Sequence, residues 1–189
     1  MSIMNVSLVI TVIGPDRPGI VRLLADRGRA FDANWAESRM ASLSGQFAGI
    51  VRWEVAAEKA ESMAAALRGL EASGLRIIIA QAASIRAAGD RRLINLELIG
   101  HDRPGIVDEV SRALLDRDVS IEELETEFTS GAWSGEQLFK AVALLSVPHT
   151  LTVEALRSGL EGLANEFMVD LTLDDENPAE GPSGQSIVR

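Results

Sequence analysis

Two stretches of this sequence carry the same arrangement of chemically useful residues. Val12–Val21 reads V-I-G-P-D-R-P-G-I-V, and Leu98–Val107 reads L-I-G-H-D-R-P-G-I-V. In each, Gly14 or Gly100 permits a tight bend and close backbone approach. Pro18 and Pro104 suit a first helical position, where a missing N–H removes no hydrogen bond. They also push Arg17 and Arg103 out of helical geometry. Gly19 and Gly105 leave the helix start, at Ile20 and Ile106, without side-chain cover. A bare helix start offers amide donors and a partial positive charge, which suits a carboxylate. Asp16 and Asp102 stand beside it, placed to pair with an ammonium group. Together they match the zwitterionic end of a free amino acid. An aspartate before a helix is also a common cap, satisfied by local amides. Duplication favours a defined turn without separating turn from site, and both roles can coexist.

Other candidates are weaker. His101 follows Gly100 where the first copy has Pro15, so it can donate a hydrogen bond or gate a ligand, or simply face solvent. His149, between Pro148 and Thr150, reads as a loop residue. Two histidines and no cysteine argue against a transition-metal site. The row Glu123, Glu125 and Glu127 could draw a hard cation, but such a row on a strand is usually a solvated face. No G-x-S-x-G elbow, P-loop or dinucleotide fingerprint occurs. No catalytic residue, cofactor or metal is expected.

Composition narrows the classes further. The 189 residues carry a net charge of −10, so phosphate-driven binding gains nothing. Direct nucleic-acid binding is therefore not expected. The best basic cluster, Arg86, Arg91 and Arg92, is interrupted and reads as a solvated linker. The absence of cysteine, of a basic-then-apolar leader and of a long apolar run fits a cytoplasmic chain with no membrane contact.

Positioning elements can be read around each motif. The two aspartates stand 86 residues apart, so the chain reads as two similar units. Val6–Ile13 alternates as a strand, and Ile20, Leu24, Ala25, Gly28 and Phe31 recur at helical spacing. Trp35–Leu43 is extended, Ser44-Gly45 turns tightly, and Phe47–Val55 returns as a partner strand. Met63, Leu67 and Leu70 mark a second helix with Gly74 as its stop. Leu75–Ala80 closes as a strand. The second unit repeats the order. Leu93–Ile99 is a strand and Ile106–Arg117 a helix. Leu124, Thr126 and Phe128 share one face of a strand, although the glutamates leave helix open as an alternative. A loop follows over 129–136. Leu138–Val147 is a strand, and a helix capped by Thr152 carries Val153, Leu156, Leu160 and Leu163. Phe167–Leu173 alternates as the last strand. The expected boundaries are 1–86, a linker over 87–91, a second unit over 92–173 and a disordered tail over 174–189. Each β-α-β-β-α-β unit is a ferredoxin-like plan of the α+β class, with two helices on one face of an antiparallel sheet.

This order, with D-R-P-G-I-V at the first turn, resembles the ACT domain family across both repeats. The whole chain is similar to stand-alone double-ACT proteins of the glycine cleavage repressor type. Ser134–Lys140 and Leu163–Asp170 add to the likeness. The resemblance implies side-by-side pairing of domains, homo-oligomers, and amino acids bound where a first turn faces a neighbouring strand. Carried over by position, the contacts are Gly14, Asp16, Arg17, Gly19 and Ile20, and Gly100, His101, Asp102, Arg103, Gly105 and Ile106. It also implies a non-catalytic regulator that acts on transcription through a protein partner such as a transcription factor. A structural interaction module, or a detached regulatory subunit of an amino-acid or folate-linked enzyme, is the alternative.

Overall fold

The computed structural model describes residues 4–81, 91–130, 137–167 and 169–175. The chain divides into two compact units, Met1–Ile85 and Arg86–Arg189. The first holds β1 (Asn5–Pro15), α1 (Ile20–Ala30), β2 (Asn34–Leu43), β3 (Gln46–Ala56), α2 (Ala57–Arg68), a 3-10 turn (Gly69–Ser73) and β4 (Arg76–Gln81). The second holds β5 (Arg91–His101), α3 (Ile106–Leu115), β6 (Ser120–Ser130), β7 (Gln137–Pro148), α4 (Val153–Phe167) and β8 (Val169–Asp175). The sheets have matching orders, β2-β3-β1-β4 and β6-β7-β5-β8, with every neighbour antiparallel. This is the expected α+β, ferredoxin-like plan, present twice.

Period-two alternation decides which face is covered. In β1 the side chains of Leu8, Ile10 and Val12 are buried, whereas Thr11 and Ile13 are exposed. The buried set meets Ile20 and Leu24 of α1 and Met63 and Leu67 of α2. In the second unit Ile94, Leu96 and Leu98 of β5 meet Ile106, Val110 and Leu114 of α3 and Leu156 and Leu160 of α4. With few aromatics the cores are chiefly aliphatic, although Phe47 and Trp53 in the first unit and Phe139 in the second are buried. Trp35 and Trp53 lie 4.8 Å apart and tilted by 59°. Trp53 sits against Gly28, where any Cβ would overlap its ring. In the second unit Leu114 stands in place of Gly28, and Ile121 pairs with Leu145 where Trp35 pairs with Trp53.

Several expectations are sharpened. The glutamate-rich segment is a strand, β6, paired with β7 along its length, so tertiary pairing overrides its helix-forming glutamates. β6 runs to Ser130, past the start expected for the 129–136 loop; residues 131–136 lie outside the described set. Arg91 is not a solvated linker residue but the first residue of β5. Its guanidinium donates to the Ser146 hydroxyl at 3.0 Å, to the Ser146 carbonyl at 2.8 Å and to the Asp118 carboxylate at 3.1 Å. Arg92 donates to the Leu151 carbonyl at 2.7 Å. Both cations anchor the sheet; Arg86 and residues 87–90 lie outside the described set. β8 extends to Asp175, so Asp174 and Asp175 pair with Asn95 and Ile94 instead of opening a tail. The remainder of the expected tail, and the side chain of Leu163, also lie outside it. Thr152 caps α4 as expected, its hydroxyl accepting from the Ala155 N–H at 3.1 Å. No helix among the described residues is long and apolar enough to cross a membrane.

Candidate functional site

Each D-R-P-G corner joins the end of a central strand to a helix, and one backbone conformation shapes both. Gly19 has φ 95° and Gly105 φ 102°, the left-handed region that disfavours side chains. The glycines are the residues just before the helices. Pro18 and Pro104 therefore stand two positions before the first helical residue instead of at it, because a left-handed residue cannot continue a right-handed turn. Neither helix start has a side-chain cap. The first helix-type bonds run from Leu23 N–H to the Gly19 carbonyl at 2.9 Å and from Glu109 N–H to the Gly105 carbonyl at 3.0 Å. The amides of Ile20, Val21 and Arg22, and of Ile106, Val107 and Asp108, precede that ladder and have no intrahelical acceptor.

The capping alternative for the aspartates is not what the structure contains. Asp16 and Asp102 are exposed, and neither carboxylate caps its helix or forms an ion pair among the described residues. The corner is instead braced from outside. The Asp16 amide donates to the Gly45 carbonyl at 2.9 Å, and Arg17 donates to the Ser73 carbonyl at 2.8 Å. Gly45 belongs to the β2–β3 turn, where Ser44 (φ 49°) and Gly45 (φ 78°) take the two left-handed positions of a tight hairpin. Ser73 ends the 3-10 turn before Gly74. These braces escape sequence reading because they join residues 29 and 56 positions apart.

The other candidate residues separate into roles. Gly14 is buried and its Cβ direction is closed by the Gly74 carbonyl and Leu75, so it faces the chain's own backbone. Gly100 is likewise buried, between Phe139 and Val169. Ile20 and Ile106 bury their side chains in the cores, leaving only their N–H groups for a ligand. His101 is exposed at the end of β5.

The two corners differ electrically. The first turn of α1 has no acidic residue and includes Arg22, which faces Asp26 at 3.8 Å. The first turn of α3 carries Asp108 and Glu109, and Glu109 lies 3.9 Å from Arg103. Carboxylates there offset the positive end of the helix dipole. The start of α1 is thus the more electropositive of the two.

Residues 7–78 match the family model described as the ACT domain. Among solved structures, an unknown protein from Galdieria sulphuraria is 31% identical, with a TM-score of 0.81, over 92% of this chain and 100% of that one. A candidate glycine cleavage system transcriptional repressor superposes with a TM-score of 0.67 at 17% identity, over 91% of this chain and 98% of that one. None of the curated proteins matches the chain. Residues 7–78, the greater part of the first β-α-β-β-α-β unit, are thus an ACT domain, and the second unit repeats the same element order and the same D-R-P-G turn into an uncapped helix.

Proposed function

We propose that this protein is a non-catalytic cytoplasmic regulator that senses an amino-acid-like zwitterion at its D-R-P-G corners. One observation carries the reading: a helix start without a side-chain cap stands beside an aspartate whose carboxylate no described residue engages. The amides of residues 20–22 or 106–108 accept the ligand carboxylate, and Asp16 or Asp102 accepts its ammonium group. Because both corners are exposed, a second wall must come from a neighbouring domain, which favours a homo-oligomer. The first corner is the stronger carboxylate acceptor, since Asp108 and Glu109 compete at the second.

The output is carried to transcription through a protein partner. Two things support this: the fold shared with a candidate glycine cleavage repressor, and a net charge of −10 that disfavours contact with nucleic acid. The test is a thermal-shift screen against the common amino acids with the full chain and its Asp16→Asn and Asp102→Asn variants. A ligand at 100 times its dissociation constant stabilises by about 2.7 kcal/mol. Asp16→Asn should abolish most of that shift while the unliganded melting temperature holds. Silence from every amino acid, or an undiminished shift in both variants, refutes the reading.

A further inference from the structure

We propose that the cleft at the far end of α1, walled by Trp35, binds a small planar aromatic carboxylate. The inference is independent of the corner reading, because the cleft stands apart from the D-R-P-G turn. Arg29 is in the last turn of α1, about 13 Å along the helix axis from Ile20. The cleft measures about 390 Å³ and opens to solvent. Its lining includes Ala25 and Arg29 of α1, Asp32 of the turn that follows, Asn34 and Trp35 of β2, and Trp53 of β3. That volume falls within the range of small-molecule sites.

The lining asks for two features in one ligand. Trp35 is partly buried and braced by the Trp53 ring, so its indole is held in place at the cleft wall. An aromatic ring packs there offset or edge-on. Arg29 is exposed, and its guanidinium makes no hydrogen bond or ion pair among the described residues. Asp32 is the one carboxylate among the described lining residues, and Lys59 holds it at 2.6 Å. The uncompensated charge of the cleft is therefore the Arg29 cation, whose planar fork matches a carboxylate.

The fold itself does not require this set. In the second unit Leu114, Ile121 and Leu145 fill the places of Gly28, Trp35 and Trp53, and the turn keeps its form. Asp118 has φ 56° where Asp32 has φ 55°. The amides of Val119 and Ala33 donate to the matching carbonyls of Leu114 and Gly28, both at 3.0 Å. Leu115, 73% exposed, stands where Arg29 does. One backbone thus carries an aliphatic set in one unit and an indole–guanidinium set in the other.

The test uses the full chain and three probes followed by fluorine NMR. These are 4-fluorobenzoate, 4-fluorobenzamide, which keeps the ring without the charge, and trifluoroacetate, which keeps the charge without a ring. Line broadening on titration should give 4-fluorobenzoate a dissociation constant about fivefold or more below that of either other probe. Arg29→Gln should bring the benzoate down to the level of the benzamide. Trp35→Ile, which installs the residue of the second unit, should weaken it by about fivefold with circular dichroism unchanged. Asp16→Asn at the corner should leave it as it is. Equal affinity for the three probes, or no binding of any, overturns the proposal. So does unchanged benzoate affinity in either Arg29→Gln or Trp35→Ile, or a loss in Asp16→Asn, which would put the probe at the corner.

Discussion

A single missing Cβ governs several positions here, for different reasons. At Gly19 and Gly105 the limit is conformational, since space around Gly19 is open. Gly19→Ala should cost about 1–2 kcal/mol through left-handed strain, read by chemical denaturation. At Gly28 the limit is the Trp53 ring. Gly28→Ala gains about 1 kcal/mol of helix propensity, but overpacking against the ring costs about 1–3 kcal/mol or more, so the variant should be net destabilised. Adding Trp53→Leu should recover part of that loss, because the second unit packs Leu114 and Leu145 in those places. The corner glycines were legible in the sequence because the motif recurs at a strand-to-helix junction. Gly28 was legible only as a helix-face residue, since its constraint comes from a tryptophan on another element. Titration adds a further residue-scale expectation. The hydrogen bond to Glu97 raises the Lys140 pKa above its ordinary 10.5. A raised lysine contributes stability that is complete below the unfolded value and lost as pH climbs through the folded one. Glu97→Gln should therefore flatten the alkaline limb of the stability curve, measured by urea melts between neutral and strongly alkaline pH.

Helix starts show how elements of equal shape can differ in charge. α1 and α3 share an uncapped glycine start, but only α3 has carboxylates in its first turn. Val21 is 48% exposed at the second position of α1. Val21→Glu should stabilise the helix by about 0.3–1 kcal/mol at low ionic strength and weaken any carboxylate held at the same amides. A thermal melt and a ligand titration on one sample read both effects, and both should shrink in salt. By contrast α4 has a true cap, and Thr152→Ala should cost about 1 kcal/mol. The order of elements could be read from apolar spacing throughout. The ambiguous element was β6, where glutamates at alternate positions satisfy both a strand face and a helix; pairing to β7 resolved it, and pairing is not a local property. The candidate site was legible to a similar degree. Its motif and amides stood in the sequence, while the braces at Gly45 and Ser73 required the folded sheet.

At the level of the whole molecule, each unit closes its own core around its own sheet. Leu145→Ala should remove about 2–5 kcal/mol from the second unit, seen as lowered amide-exchange protection in β5 and β7. The division itself was plain from the 86-residue repeat, but its margins were not. Arg91 and Asp174 look like linker and tail because they are polar, and only their sheet partners Pro148 and Asn95 make them structural. The tryptophan pair has a practical consequence. The chain has no tyrosine and three tryptophans, two of which, Trp35 and Trp53, are close enough for their excited states to mix. Replacing Trp133 by phenylalanine would silence the third indole. The ultraviolet spectrum would then watch one half of the protein alone, and any titration seen in it would assign the event to the half that carries Asp16.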